Sequence, residues 1–441
     1  MADADQNAEA LAVPSRRLGR LARFGGLGTS IASSMLVEGA KTLARGERPE
    51  FDRLLLTPAN AQRLADQLSK LRGAAMKLGQ LMSMGGDDML PPELADVLGK
   101  LREQAHHMPP PQLRRVLNEA WGQDWMSRLA RFDPRPIAAA SIGQVHRAQT
   151  KDGRDLAVKV QYPGVRESID SDIDNLVTLF KLSRQGPKGV DMTPVFDEAK
   201  RQLHEEADYI REGRFMAQFG AILEGDERFV VPKLEEELTT PDVLAMSFER
   251  GQPIDSLVDA DQETRNQVIT HLFELVIREL FEFKVIQTDP NFANYRYRPD
   301  TQQIVLLDFG ATREIDPALS DGYRKLVAAD MGGEWKDIDA AARAINLYSG
   351  EMTPRQEEAL RNIFLAAVEP LRHDGPFDFA KSDVTTRMRD EGLKLREEEY
   401  SHTPNPPALF LHRKIGGMYL LATRLAAKVN VHALLKKNGF A

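Results

Sequence analysis

Four groups of residues occur in an order that phosphoryl transfer could use. A run of small residues, Ala138-Ala139-Ala140-Ser141-Ile142-Gly143, precedes Lys159, which sits in Ala157-Val158-Lys159-Val160. Farther along, Asp289 and Asn294 stand five apart in QTDPNFAN, and Asp308 opens Asp308-Phe309-Gly310. Moving a phosphoryl group calls for these types. Small residues let backbone approach phosphates, an ammonium meets the α/β-phosphates, a carboxylate and an amide hold Mg²⁺, and a second carboxylate stands near the acceptor. Each group alone is weak. A loop of alanines is commonly tight packing, a lone AVKV a strand with one solvated lysine, and a lone DFG a strand-to-turn junction.

Order and separation together read as a protein-kinase-like fold. Such a site needs a glutamate to hold its lysine. The stretch KRQLHEEADYIREGRF, 200–215, puts Glu205, Asp208 and Glu212 at i, i+3 and i+7 of one expected helix face. Like charges on a face destabilise a helix by about 0.2–0.5 kcal/mol per pair. Either that face is solvated and softened by Arg201, Arg211 and Arg214, or it meets a cation. Glu212 is the choice of partner for Lys159.

The elements that must position these groups follow from pattern. Residues 1–15 read as a flexible tail and 16–130 as a helical extension. Within it Leu64, Leu68, Leu71, Ala75, Leu78 and Met82 make one apolar stripe, and Gly73, Lys77, Gln80 and Met84 mark another face. A helix striped on two sides is covered on two sides. Near Phe132 the period changes. Ser141 to Ala148 and Asp155 to Gln161 flank Lys151-Asp152-Gly153 and read as a hairpin. Residues 165–220 read as helical, and Phe229–Val231 and Val243–Phe248 as short strands. From Asp261 the chain reads as helical except for the strand in QIVLLDFG, 303–310. The expected lobes are 131–250 and 251–441.

Composition narrows the function classes. The 441 residues suggest two or three domains, and 42% apolar with 28% charged residues is globular composition. A net charge of −8 argues against a nucleic-acid binder, and the absence of cysteine excludes disulfides, Cys-ligated metal and a Cys nucleophile. The first residues lack an apolar core of a secretory signal. The uncharged stretch Phe24–Val37 is too short and polar to span a bilayer, so no membrane crossing is expected. Arg16, Arg17, Arg20 and Arg23 lie near one end. Arg413, Lys414, Arg424, Lys428, Lys436 and Lys437 lie in an acid-free stretch at the other. Two basic ends on an acidic chain could rest on an anionic membrane surface, or could be solvated flanks of packing helices. The expected location is cytoplasmic, with peripheral contact on the inner face of a membrane.

The chain resembles the UbiB/aarF family of atypical kinases, the group tied to ubiquinone biosynthesis. The resemblance is carried by Lys77-Leu78-Gly79-Gln80 (KxGQ), AAASIGQVH at 138–146, AVKVQYPG at 157–164 and Glu206-Ala207-Asp208 followed by Glu212. Asp289 with Asn294, Asp308-Phe309-Gly310 and the stretch PALFLHRKIGGMYLL complete it. It covers roughly Leu55 onward. It implies an α+β, bilobal protein-kinase-like fold with the helical N-terminal extension packed over the active site. It also implies ATP (or ADP) and Mg²⁺ as ligands. Lys159 and Glu212 would then be the nucleotide-positioning pair, Asn294 and Asp308 the Mg²⁺ ligands, and Asp289 the catalytic base. Ala138, Ala139, Ala140 and Ser141 would cover the phosphates. Met246 would be the gatekeeper, with Ser247, Phe248 and Glu249 as the adenine hinge. Lys77 and Gln80 would lie near Glu206 and Asp208.

The catalytic loop departs from the family's His-x-Asp-x-His-Pro-Gly-Asn. Gln287 and Asn291 replace the histidines, Phe292 the proline and Ala293 the glycine. Alanines in the phosphate loop limit backbone approach and disfavour positive φ, which implies slow turnover or an altered ATP/ADP preference. Only Ala311 to Asp316 separates the DFG from PALSDGYRKL, which reads as a helix, and no A-P-E follows. A peptide substrate is therefore disfavoured, and a small or lipid-like acceptor such as a quinone precursor, or water, is favoured. The readings are an atypical kinase or ATPase, a non-catalytic nucleotide-binding scaffold docking on membranes or quinone-biosynthesis proteins, and, against the KxGQ, a small-molecule kinase.

Overall fold

In the computed structural model, which describes residues 108–440 except 141, 184–192, 349, 351, 399 and 401–405, the first element is helix α1, Pro110–Trp121. The two-striped helix with Lys77 and Gln80, and Ser141 of the small-residue run, lie outside the described residues. Two prolines open α1, where a missing N–H costs nothing and a fixed φ suits the first turn. Leu113, Val116, Leu117 and Trp121 form its buried face, and the helix stops at Gly122, φ +85°.

Two units divide the described residues: those up to Arg214 with Lys233–Phe248, and Phe215–Pro232 with the residues from Glu249 on. In the first, β1 (Leu129–Ala139), β2 (Gly143–Thr150) and β3 (Asp155–Gln161) are followed by α2 (Val165–Ser183), α3 (Thr193–Glu206) and the start of α4 (Tyr209–Ile222), whose residues from Phe215 on belong to the second unit. After β4 (Phe229–Val230), which belongs to the second unit, β5 (Val243–Ser247) completes an antiparallel sheet of order β1-β2-β3-β5. The expected hairpin is β2–β3, with Gly153 at φ +91° in its turn. Strand β1 was not expected. Pro134 and Pro136 hide it, and both are tolerated because β1 is an edge strand. Leu156, Val158 and Val160 of β3 are fully buried in one cluster with α1, so period-two alternation turns Lys159 to the opposite face. The indole N–H of Trp121 donates to Leu238 O at 2.8 Å and ties α1 to the segment before β5.

The second unit runs β6 (Gln252–Pro253), α5 (Gln262–Arg278), β7 (Val285–Gln287), β8 (Tyr295–Arg298), β9 (Gln303–Leu306), β10 (Thr312–Glu314), α6 (Pro317–Gly332), α7 (Trp335–Ala344), α8 (Pro354–Arg372), β11 (Phe377–Asp378), α9 (Val384–Glu397), α10 (Pro406–Arg424), β12 (Lys428–Val429) and α11 (Val431–Lys437). Asp261 caps α5 by accepting from Thr264 N at 2.8 Å. The helix passes into a π turn, Glu279–Phe283, and Lys284 at φ +55° swings the chain into β7. Strands β8 and β9 form a hairpin flanked by β6 and by β4, which is parallel to β9, while β7 pairs antiparallel with β10. Of these strands β4 and β9 were expected. The others run two to four residues, too short to show a period. The expected helix after the DFG begins at Pro317, capped by Asp316 accepting from Ala318 N at 2.8 Å.

The basic C-terminal stretch is largely ion-paired within the chain, and two of its six bases, Arg413 and Lys414, are well covered. Arg413 pairs with Asp289 at 2.8 Å, Arg424 with Asp255 at 3.1 Å, Lys428 with Asp378 at 3.3 Å and Lys437 with Glu274 at 2.8 Å. Lys414 is buried, 2% exposed. Arg424, Lys428 and Lys437 stay solvent-exposed while paired, and Lys436 is exposed as well. Among the described residues, no helix is long and apolar enough to cross a membrane.

Candidate active site

The alternation of β3 delivers Lys159 to α4. Its Nζ lies 2.7 Å from Glu212 Oε1 and 3.0 Å from Oε2, and both side chains are buried, at 7% and 1% exposure. The Tyr209 ring stands 5.4 Å from the same ammonium. Glu212 is in the first turn of α4 because the chain breaks at Ala207-Asp208. Asp208 Oδ1 accepts from Arg211 N at 3.0 Å, and Gln161 Nε2 donates to Ala207 O at 2.8 Å. The single helix expected over 200–215 is thus two, and Glu205 and Glu212 do not share a face. Aspartate is a strong N-cap residue, the signal that could have located the break. Glu206 ends α3, and both it and Asp208 are half-buried.

Ala138 and Ala139 close β1 and are exposed, and Ala140 is half-buried. None of the three has a positive φ. Ala140 N–H donates to Gly143 O at 2.9 Å, and Tyr162 N–H to Ile142 O at 2.9 Å, which pins the turn to the end of β3. A Cβ on Gly143 would sit 2.4 Å from Val160 O. The motif's Gln144 and His146 are fully buried and structural. Gln144 Oε1 accepts from Met108 N at 2.8 Å, Gln144 Nε2 meets His146 Nε2 at 2.8 Å, and His146 Nδ1 meets Asp133 O at 2.9 Å. Met246 is buried opposite Ala157. Of the hinge amides, Ser247 N–H donates to Lys233 O at 2.8 Å and Phe248 N–H to Asp155 O at 2.9 Å. Glu249 opens the second unit's next segment and pairs with Arg298.

In the second unit, β7 and β8 are the posts of the loop that carries Asp289 and Asn294. Asn294 Nδ2 donates to Asp289 Oδ2 at 2.9 Å. Leu307 N–H donates to Asn294 O at 2.9 Å, and Thr288 Oγ1 to Ala311 O at 2.7 Å, so the loop is tied on both sides of the DFG. Asp308 Oδ1 accepts from Gly310 N at 3.0 Å, and buried Phe309 packs on Phe219 of α4 with ring centres 5.2 Å apart. The Asn294 amide turns its nitrogen to Asp289, which leaves its carbonyl oxygen as the end a hard cation would use. One amide oxygen and one carboxylate, completed by phosphate and water, is a donor set Mg²⁺ accepts. Among the described residues there is no cluster of three or more His, Cys, Asp or Glu able to hold a metal.

Sequence reasoning missed the other side of this loop. Arg413 Nη2 donates to Asp289 Oδ1 at 2.8 Å. Lys414 Nζ donates to Gln287 Oε1 at 3.1 Å and Tyr295 Oη at 2.7 Å, with Glu279 Oε2 4.0 Å away. Burial opposes the Lys414 charge, but Tyr295 and Glu279 outweigh it and hold the ammonium above the usual lysine range. Burial pushes the Glu279 carboxyl up to about 7 against the pull of Lys414. The signal was two charges inside an apolar helix run, LFLHRKIGGMYLL, where solvated bases do not belong.

The model of the ABC1 atypical kinase-like domain matches residues 100–342. The chain belongs to this family. Among curated relatives it is 36% identical over 430 residues to atypical kinase COQ8B, mitochondrial, of Danio rerio, covering 96% of this chain and 68% of that protein. It is 36% identical over 429 residues to atypical kinase COQ8, mitochondrial, of Saccharomyces cerevisiae, covering 96% and 85%. Among solved structures, Rv3197 of Mycobacterium tuberculosis, determined as an erythromycin complex, matches with a TM-score of 0.60 at 24% identity, covering 87% of this chain and 97% of that one. That likeness is one of fold. The protein-kinase-like fold of mixed helix and sheet and the UbiB/aarF membership expected from the sequence are both found.

Proposed function

We propose that this ABC1-family chain binds Mg-ATP or ADP and acts as an atypical kinase or ATPase in ubiquinone (isoprenoid-quinone) biosynthesis. In this reading Lys159, held by Glu212, meets the α/β-phosphates, and Asn294 and Asp308 hold Mg²⁺. Asp289 stands at the acceptor, and the turn Ala138–Ala140 covers the phosphates. Bound Mg²⁺ would neutralise phosphate charge. Lys77 and Gln80, with Glu206 and Asp208, would restrict the acceptor to a lipid-like or small molecule, or water.

The observation that carries the reading is the buried, two-pronged Lys159–Glu212 pair. Burying both charges is a poor way to gain stability, since desolvation offsets the attraction. Its retention supports a role in ligand binding. The short link from Asp308 to α6 favours an acceptor other than a peptide. The quinone assignment rests on the family resemblance.

Purified protein should bind ADP in a magnesium-dependent way by calorimetry and release ADP from ATP slowly, and Asp308→Asn should abolish release. Equal rates in the two proteins would remove the enzymatic claim. Cells lacking the protein should regain normal quinone levels with the unaltered chain and not with Lys159→Ala. Rescue by both would remove the nucleotide-dependent role.

A further inference from the structure

We propose that α10 is the seat of the catalytic loop, with Arg413 and Lys414 as positioning residues for phosphoryl transfer. The proposal rests on the functional reading above and extends it to residues outside the phosphoryl-transfer set.

At 100° per residue, positions 413, 414 and 417 fall within one 100° arc of α10. All three meet the stretch 287–295. Lys414 bonds Gln287, the last residue of β7, and Tyr295, the first of β8, so one ammonium grips both posts of the loop. Arg413 bonds Asp289 Oδ1 while Asn294 bonds Oδ2, so the carboxylate is fixed from two sides. Between them Gly417 faces Pro290 so closely that a Cβ would lie 2.1 Å from the proline Cβ. That approach requires a glycine.

The chain of contacts has a direction. Arg413 sets the rotamer of Asp289, and Asp289 sets which end of the Asn294 amide is turned outward. Arg413 therefore acts on the expected magnesium ligand without touching the metal or the substrate. Lys414 sets the span over which Asp289 and Asn294 are strung. Two cations on a helix whose neighbours Phe410, Leu411, Met418 and Leu421 are buried are costly to keep unless they hold something in place.

The test uses the whole chain with Arg413→Gln, Arg413→Lys, Lys414→Met, the double variant Lys414→Met/Glu279→Leu, and Lys436→Ala, an exposed base on α11, as control. Each is measured for melting temperature, for the Mg²⁺ concentration that half-saturates ADP binding, and for ATP turnover. Arg413→Gln should stay folded, need roughly 10-fold more Mg²⁺ and lose roughly 100-fold in turnover. Arg413→Lys should recover part of both. Lys414→Met should melt early, and the double variant should recover the melting temperature but neither the Mg²⁺ requirement nor the turnover. A merely structural role predicts recovery of all three in the double variant. That result, or unaltered Mg²⁺ dependence in Arg413→Gln, overturns the proposal alone. No magnesium-dependent ADP binding by the unaltered chain overturns the functional reading and this proposal with it.

Discussion

Replacing Glu212 by glutamine removes one charge from a pair that water barely reaches. Lys159 is 7% exposed and Glu212 1%, with both carboxylate oxygens within 3.0 Å of the ammonium. Removing one partner of such a pair strands the other and costs about 3–5 kcal/mol. At about 2–4 °C per kcal/mol, the melting temperature should fall roughly 6–20 °C. Lys159→Met alone should cost a similar amount by stranding the carboxylate. The double variant Lys159→Met/Glu212→Leu removes both charges of the pair together and should cost less than the sum of the two single variants. On the proposed function, all three should lose the stabilisation expected from Mg-ADP. Thermal melts with and without Mg-ADP give both readouts. If each single variant costs less than about 1 kcal/mol, as a screened surface pair would, or if the double variant loses the sum of the two, the burial argument is wrong.

Gly143→Ala should lower both the melting temperature and ADP affinity in calorimetry, because its Cβ would meet Val160 O at 2.4 Å and backbone must shift. Burial pushes the His412 imidazole down to about 4, and its Nε2 lies 2.9 Å from Tyr323 Oη. A depressed histidine contributes stability that is present above about 6.5 and lost as pH falls toward 4. His412→Asn should therefore flatten the melting-temperature curve across that window, and an unchanged slope would refute the assignment. Arg228, with Arg278 in support, holds the Asp226 carboxyl well below the usual range against its burial. Its contribution is present above about 4 and fades as pH falls further. Asp226→Asn should thus melt earlier at neutral pH, with the deficit shrinking in acid.

Lys159 was legible in the sequence because strand alternation and the types of its neighbours are local properties. The hairpin around Lys151-Asp152-Gly153, the strand before the DFG and the helix from Pro317 were legible for the same reason. Strand β1 was hidden by its prolines, and β7, β8 and β10 by their shortness. The break at Asp208 was readable but masked by a charge pattern that looked continuous. Arg413 and Lys414 were counted as solvated bases because their partners, Asp289 and Gln287, lie more than a hundred residues away. No window of sequence shows that pairing. Composition locates a charge along the chain, and only the fold says what neutralises it.

The stretch between Asp308 and Pro317 holds a single hydroxyl, that of Thr312, and it is fully buried where β10 pairs with β7. An enzyme that phosphorylates hydroxyls therefore finds no accessible one in this link.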